Sequence, residues 1–193
     1  MKKIILISLL LLSSLIAKEQ EAKIYTGLSV GYLNESFSGN IGAAQTDKSN
    51  SGETAKFKLG YGIREAYAVE FSIDYRKSKT NVFSTAPQED GDKFGLNVEL
   101  IKAFDWDIFV LPYFKAGFGA GNFKIDNEND PGNNSLNYSS FNLGLGMLIP
   151  VNEHLDFEIG YDYRYVSYEK FEVYLSDVQS HMNGTYVGVN VRF

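Results

Sequence analysis

The chain has 193 residues, with 18 Lys and Arg, 24 Asp and Glu, and a formal net charge of −6. That length fits one domain, and the acidic balance argues against binding to nucleic acid, which clustered basic side chains provide. Cysteine is absent and histidine occurs twice, which excludes disulfides, thiol chemistry and a multi-histidine zinc site. We therefore expect no cofactor and no bound metal. The 18 Gly, 13 Tyr and 14 Phe against 4 Pro favour strands over helices or disorder.

The first seventeen residues have the parts of a cleavable export signal. Two lysines precede an apolar run over residues 4–16, and Ala17 is the small residue before the predicted cleavage point. The run is shorter than the ~20 residues that a membrane-spanning helix needs. We predict a signal peptide at 1–17 and an exported domain at 18–193.

Beyond the signal, apolar and polar residues alternate with period two in eight stretches, and no helical period is sustained. No charged residue falls on the apolar face of any stretch, whereas the opposite face carries charged residues and most of the glycines. Such alternation is typical of strands that separate an apolar from a polar environment. The predicted strands cover 24–32, 55–64, 69–76, 94–100, 108–119, 141–149, 155–164 and 184–193.

The connections between these strands alternate in length. Short ones lie at 64–68, 102–107 and 150–154, and long polar ones at 33–54, 77–92, 122–137 and 166–180. An even number of strands with short turns at one rim and long loops at the other is typical of outer-membrane barrels. We predict an all-β fold, an eight-stranded antiparallel up-and-down transmembrane β-barrel.

The alternation also fits a soluble barrel with an apolar interior, so the volume of the interior must decide. An eight-stranded barrel is just wide enough inside for its own side chains or one small ligand. The many large apolar side chains would overfill it, whereas facing outward they form a band against lipid. Aromatic residues at the two predicted rims fit the interfacial girdles of a membrane barrel: Tyr32, Tyr75, Phe118, Tyr163 and Tyr165 at one rim, Trp106 and Phe193 at the other.

The last strand ends the sequence in an alternating apolar series. Val187, Val189, Val191 and the terminal Phe193 share one face, and we expect this strand to pair with the first and so close the barrel. We also expect no further domain after it.

Three segments resemble the small outer-membrane barrels of the opacity and OmpA-like family. Residues 111–119 (LPYFKAGFG) are similar to the fifth strand of that family, and 148–157 with 161–165 are similar to its sixth and seventh strands. The terminal Phe193 resembles the signal read by the barrel assembly machinery, although Val191 stands where an aromatic residue is common. The resemblance implies a multi-pass protein of the Gram-negative outer membrane, in contact with lipid and lipopolysaccharide. It implies no single function.

The predicted inner face carries charges that must pair, because an unpaired buried charge costs several kcal/mol. We interpret them as an ion-pair network that plugs the barrel, with Lys58 opposite Asp74. A narrow water path for ions or small solutes is the alternative, since inward glycines leave space. The network residues are Lys56, Lys58, Glu70, Asp74, Arg76, Glu99, Lys115, Glu158, Asp162 and Arg164, with Arg64, Lys93, Asp156 and Arg192 on the same face.

An enzyme is not expected. His154 and His181 are predicted at opposite rims, and the proximity of His181 to Ser180 and Asp177 in sequence does not supply the geometry of a nucleophile and its base. The acidic stretch 126–132 departs from the EF-hand pattern, and we interpret it as a solvated turn.

Function is therefore expected in the loops, where rigid scaffolds place it. We predict a surface-interaction protein, most simply a monomer, whose fourth long loop offers a contact surface to a host or surface ligand. That surface comprises Tyr168, Phe171, Tyr174 and Leu175, since exposed aromatic residues favour partner binding.

Overall fold

The computed structural model describes residues 21–38, 40–41, 44–45, 48–80, 89–125, 135–169 and 179–193. The predicted signal peptide lies outside these residues. Eight long strands are named here in chain order: β1 (Lys23–Ser38), β2 (Lys48–Gly62), β3 (Tyr67–Thr80), β4 (Glu89–Ala103), β5 (Leu111–Ile125), β6 (Ser135–Pro150), β7 (Leu155–Tyr168) and β8 (Gln179–Arg192).

The eight strands form one closed antiparallel barrel. Each strand pairs with its neighbours in sequence, and β8 pairs with β1 to complete the ring. In the closing pair, Leu28 lies opposite Val189, and the backbone N–H of Phe193 donates to the carbonyl of Ile24 at 3.0 Å. The predicted eight-stranded up-and-down barrel is confirmed, and closure leaves none of these strands with an unpaired edge.

Three short turns, at 63–66, 104–110 and 151–154, join strands at one end of the barrel. At the other end, the first connection contains a two-residue ladder between Asn40–Ile41 and Ala44–Gln45. The prediction that Ile108 and Val110 begin the fifth strand is wrong, because β5 begins at Leu111. Both residues belong to the turn.

The outer wall of the barrel is apolar. Side chains at alternate positions of every strand point outward, and large apolar ones are well exposed, among them Leu28, Phe71, Leu96, Phe118 and Leu145. In water this surface would be unstable, whereas against hydrocarbon it is the expected surface. No helix long and apolar enough to cross a bilayer occurs in the described part of the chain.

The strands extend further at the long-loop end than the sequence predicts. β1 continues from residue 32 to Ser38, and β2 begins at Lys48 instead of residue 55. Outward positions there are polar, such as Asn34 and Glu53. Above the lipid, outward side chains meet water, so the apolar half of the period-two pattern ends while the hydrogen-bonded ladder continues.

Candidate functional site in the barrel lumen

Charged side chains fill the interior of the barrel. In the part of the chain that the structure describes, seven basic and seven acidic side chains are buried, so their formal charges cancel. A lumen lined only by apolar side chains would not accommodate these charges, because burying a charge without a partner of opposite sign lowers the stability of the fold. The basic residues are Lys56, Lys58, Arg76, Lys93, Lys115, Arg164 and Arg192, and the acidic residues are Glu35, Glu70, Asp74, Glu99, Asp156, Glu158 and Asp162.

The cluster nearest the long loops is built on one carboxylate. Glu35 is fully buried and accepts from Arg76 Nη1 at 2.9 Å and from Lys93 Nζ at 2.6 Å. It also accepts from the hydroxyls of Tyr168 at 2.7 Å and Ser180 at 2.6 Å. We call these five residues the upper cluster. A single acid is therefore the shared carboxylate partner of two buried cations.

Aromatic rings surround the ammonium group of Lys93. Its Nζ lies 4.3 Å from the ring centre of Phe123, 5.1 Å from that of Tyr168 and 5.2 Å from that of Phe37. Cation–π attraction is strongest where water is excluded. The upper cluster is thus both ionic and aromatic.

Below it, Asp74 is held between an arginine and an amide. Arg164 Nη1 donates to both carboxylate oxygens at 3.1 Å, and the Asn97 amide also donates to Asp74. Asn97 accepts in turn from the amide of Asn142 at 2.9 Å. This chain of hydrogen bonds crosses the lumen from β3 to β6 and β7.

Two lysines share the next carboxylates. Asp162 lies 2.9 Å from Lys115 Nζ and 3.1 Å from Lys56 Nζ. Glu99 lies 3.6 Å from Lys115 and 4.0 Å from Lys56. Each cation therefore faces two acids, and each acid faces two cations.

Glu158 is the centre of the next group, which we call the lower cluster. Its carboxylate accepts from Lys58, from the hydroxyls of Tyr113 at 2.7 Å and Tyr186 at 3.1 Å, and from Asn190 at 2.9 Å. The residues of the lower cluster come from β2, β5, β7 and β8, so it ties together distant parts of the ring.

The predicted pairing of Lys58 with Asp74 is wrong. Lys56 lies opposite Asp74 in the ladder and Lys58 lies opposite Ser72. Lys58 reaches across the lumen to Glu158 and lies 3.9 Å from Glu70. The prediction placed the centre of the turn between β2 and β3 one residue too late in the chain, which shifts every cross-strand partner by two.

Arg192 ends the polar column near the short turns. Its Nε donates to Asp156 at 2.6 Å, and Arg64 Nη1 contacts the other carboxylate oxygen of Asp156 at 3.1 Å. A hydrogen bond to Glu65 holds Arg64 at the rim, and this bond together with the charge of Asp156 raises the pKa of Arg64 despite partial burial. An internal cavity beside this group measures about 20 Å³, room for about one water molecule.

Apolar layers lie near both ends of the charged column. At the long-loop end, buried rings and aliphatic side chains pack together: Phe37, Phe123, Leu136, Tyr138, Val166, Tyr168 and Met182. At the short-turn end a smaller layer comprises Ala103, Leu111, Tyr113 and Leu148. The charges from the upper to the lower cluster therefore lie between two apolar layers, and the Arg64–Asp156–Arg192 group lies beside the second layer at the short-turn rim.

Inward tyrosines lie over glycines of neighbouring strands. A Cβ added at Gly160 would lie 2.5 Å from the ring of Tyr186, and one at Gly146 would lie 2.5 Å from the hydroxyl of Tyr113. Only a residue without a side chain leaves these rings room in so narrow a barrel. The glycines predicted to leave a path are, at these positions, covered by tyrosine.

All ten residues of the predicted lumen network lie on the inner wall and are buried. The sequence interpretation omits Glu35, because it places this residue in a loop. Its position two residues after Leu33, in phase with the inward series of β1, was the signal that could have identified it.

The predicted loop contact surface requires a correction. Tyr168 is 5% exposed and its side chain points into the lumen, where it donates to Glu35. It belongs to the upper cluster because β7 extends to this residue. Phe171, Tyr174 and Leu175 lie outside the described residues, as does the acidic stretch 126–132.

Ser180 and His181 point to opposite sides of the wall. Ser180 is buried and donates to Glu35, whereas His181 Nδ1 lies 2.7 Å from the hydroxyl of Tyr163 on the outer side. His154, near the short turns, contacts the carbonyl of Arg192 at 3.1 Å. Within the described residues, no group of three or more His, Asp or Glu is arranged to hold a metal ion.

The C-terminal apolar series lies on the outer face of β8. Val187, Val191 and Phe193 are 52%, 38% and 69% exposed, and Val189 shares their face. The series is therefore directed toward lipid beside the seam with β1.

A closed barrel with an apolar exterior, a charged interior and short turns at one rim is a transmembrane barrel of the outer-membrane type. Residues 4–193 match the family described as the outer membrane protein beta-barrel domain. The chain belongs to this family and is an outer-membrane β-barrel protein in contact with lipid. No curated protein sequence matches the chain.

Solved structures agree with this fold. Neisserial surface protein A aligns with a TM-score of 0.61 at 22% identity, over 90% of this chain and 100% of that one. The outer membrane protein OprG from Pseudomonas aeruginosa aligns with a TM-score of 0.56 at 14% identity, over 90% and 97%. A major outer membrane protein from Thermus thermophilus aligns with a TM-score of 0.50 at 13% identity, over 90% and 100%.

Proposed function

We propose that this protein is a non-conducting barrel that displays its four long loops at the cell surface. The burial of seven basic and seven acidic side chains in the lumen, as far as the structure describes the chain, carries this proposal. Such an interior stabilises a rigid scaffold, and an ion entering it would have to displace buried salt bridges. The proposal includes no catalytic activity, since the serine and histidine that adjoin in sequence face opposite sides of the wall.

Conductance in planar bilayers tests the plug. The refolded protein, whose folding is checked by a heat-dependent shift in gel mobility, should give no steady current steps. A matched variant, Asp74→Ser with Arg164→Ser, removes both charges of one pair and keeps the formal charge of the lumen balanced. This variant tests whether the assay detects current through a lumen from which one ion pair has been removed. Reproducible steps from the unmodified protein would contradict the proposal.

A narrow channel is the second candidate, and one observation favours it. Several buried polar atoms of the lumen have no protein hydrogen-bond partner among the described residues, including Arg76 Nε, Arg164 Nε and Glu99 Oε2. Buried polar atoms are normally satisfied by protein or water, so water could occupy the column. Steps of conductance in the unmodified protein that disappear when Gly160 is replaced by Leu would establish this alternative.

We assign surface interaction to the fourth long loop. Phe171, Tyr174 and Leu175 are apolar residues in a polar connection, and exposed aromatic residues favour contact with a partner. Replacing the three with serine should reduce adhesion of bacteria that express the protein to cultured epithelial cells. Replacing Ser84, Thr85 and Gln88 in the second loop with alanine serves as control. Equal adhesion by all three strains would remove this assignment.

We also propose that the outer wall contacts lipopolysaccharide, that the protein works as a monomer and that Val187, Val189, Val191 and Phe193 present the signal for the barrel assembly machinery. The outward direction of the series supports the last point. Phe193→Ala should lower the amount of folded barrel in the outer membrane while leaving in vitro refolding into detergent intact. Equal loss in both settings would indicate a purely structural role.

A further inference from the structure

One of the three short turns differs from the other two in chemistry. The turns at 63–66 and 151–154 carry charged or polar residues such as Arg64, Glu65, Asn152 and Glu153. The turn at 104–110 reads FDWDIFV and is longer. A turn in contact with water alone would not be expected to present such a sequence.

The apolar side chains of this turn do not pack into the barrel. Trp106 is 63% exposed, Ile108 is 51% exposed and Phe109 is 83% exposed. The lumen layer nearby is completed by Ala103 and Leu111 instead. These three side chains thus need another apolar environment.

The backbone of the turn is held in place. Asp107 has a left-handed backbone with φ of 55°, and its N–H donates to the carboxylate of Asp105 at 3.0 Å. The N–H of Phe104 donates to the carbonyl of Pro112 at 2.9 Å, and the ring of Phe104 lies 6.2 Å from that of Trp106. The turn is therefore built to hold its apolar side chains outward.

The turn continues the lipid-facing wall. Leu100 on β4 and Phe114 on β5 are outward and 53% and 46% exposed, directly above the turn. At the same rim, the ammonium group of Lys102 lies 4.0 Å from the ring centre of Tyr67 and 5.8 Å from that of Phe104. Aromatic rings with a neighbouring lysine are typical of the membrane–water boundary.

We propose that the 104–110 turn is a membrane anchor that inserts Trp106, Ile108 and Phe109 into the periplasmic leaflet. Its partner is phospholipid, because the turn adjoins the lipid-facing band and repeats its chemistry. Asp105 and Asp107, on the alternate positions, stay at headgroup level. The anchor makes the periplasmic rim asymmetric: one hairpin is fixed in lipid and the other two turns face water.

Trp106 is the single tryptophan of the chain, so tryptophan emission reports on this turn alone. The protein is refolded into phosphatidylcholine vesicles, and vesicles brominated near the headgroup or deep in the acyl chain are compared. We expect emission blue-shifted from that of the urea-unfolded protein, strong quenching by the shallow bromines, weaker quenching by the deep ones and little quenching by aqueous iodide.

A variant pair tests whether the neighbouring side chains hold the turn in lipid. Ile108→Ser with Phe109→Ser should shift the emission to longer wavelength, reduce quenching by brominated lipid and increase quenching by iodide. Val151→Ser in the 151–154 turn is the control and should leave all three unchanged. Gel mobility establishes that each variant is folded.

Two results would overturn the proposal. Full access of iodide with no quenching by brominated lipid would place the turn in water, available to a periplasmic protein. Protection from both quenchers would place Trp106 against protein. Either result is obtained from the unmodified protein, so failure of a variant to fold leaves the test intact.

Discussion

The upper and lower clusters of the lumen compensate their buried charges in different ways. In the upper cluster, Glu35 is the one carboxylate within 4 Å of Arg76 and Lys93 among the residues that the structure describes. In the lower cluster, Glu158 has Lys58 as its cation but also accepts from two tyrosines and an asparagine. In the upper arrangement two cations share one acid, whereas in the lower one the acid receives hydrogen bonds from one cation and three neutral groups.

Burial and charge balance therefore do not by themselves identify the residue whose replacement costs the most stability. Removal of one partner from a buried pair is costly because the other charge is left uncompensated. The cost should depend on how many groups remain to compensate it. The two clusters have comparable burial, so variants can compare them directly.

The largest effect is expected for Glu35→Ala. It removes the carboxylate that Arg76 and Lys93 share and should lower the free energy of unfolding by about 3–5 kcal/mol. Urea unfolding of the barrel in lipid vesicles, followed by Trp106 emission and gel mobility, measures it. Glu35→Gln, which retains an acceptor for Tyr168 and Ser180, separates the loss of charge from the loss of hydrogen bonds. A loss below about 1 kcal/mol for Glu35→Ala would contradict the inference that the upper cluster depends on this carboxylate.

A smaller effect is expected for Lys58→Met. Glu158 keeps its hydrogen bonds from Tyr113, Tyr186 and Asn190. Glu70, the other carboxylate beside Lys58, keeps its hydrogen bond from the Tyr25 hydroxyl at 2.9 Å, so the loss should be about 1–3 kcal/mol. The same urea titration measures it beside Glu35→Ala. Equal losses for the two variants would show that the extra donors do not compensate for the missing cation.

Gly160→Ala tests the two tyrosine donors of Glu158 by displacing their side chains. The added Cβ would lie 2.5 Å from the ring of Tyr186 and 2.8 Å from the hydroxyl of Tyr113, so both side chains must shift. We expect a loss of about 1–2 kcal/mol from overpacking. Combined with Lys58→Met, the loss should exceed the sum of the single losses, because the remaining donors of Glu158 are displaced. Simple additivity would indicate that the tyrosines do not support Glu158.

The smallest effect is expected for Glu169→Gln, next to Tyr168 but exposed. The backbone N–H of Asn137 at 2.8 Å and its side-chain amide at 3.0 Å hold the pKa of the Glu169 carboxyl below its usual range. A lowered folded pKa stabilises the barrel above the ordinary carboxyl pKa, and that contribution is lost as pH falls through the folded value. Unfolding midpoints at neutral pH and near pH 3 should therefore differ slightly less in Glu169→Gln than in the unmodified protein. A larger change than in Glu35→Gln would reverse the ranking of buried and exposed acids.

The sequence was sufficient to predict which side chains of the barrel wall face inward and which face outward. Period-two alternation assigned Lys56, Asp162 and Arg164 to the inner face, because a strand in a bilayer has lipid on one side only. The same reasoning failed for Glu35 and Tyr168. These residues lie where β1 and β7 extend beyond the lipid-facing band. Both faces of the strands are polar or mixed there, so the alternating pattern of a membrane strand is absent although the hydrogen-bonded pairing continues.

The sequence alone could not predict which residues contact each other across the lumen. Lys58 and Glu158 are 100 residues apart in the chain, and their contact depends on how the eight strands are staggered around the ring. Counting from a turn concerns only neighbours along the wall, and the Lys58–Asp74 pairing failed even there because the turn centre was misplaced by one residue. The 104–110 turn was misassigned for a related reason, because Ile108 and Val110 are as apolar in a lipid-bound turn as in a strand.

The number of strands, the direction of each face and the location in a membrane could be predicted from the sequence alone, because they follow from which side chains tolerate hydrocarbon. The folded barrel was needed to establish which charges meet, how far the strands continue beyond the apolar band and where the buried apolar layers lie. Those features depend on ring closure and stagger, which bring distant strands together in a space that no local pattern describes.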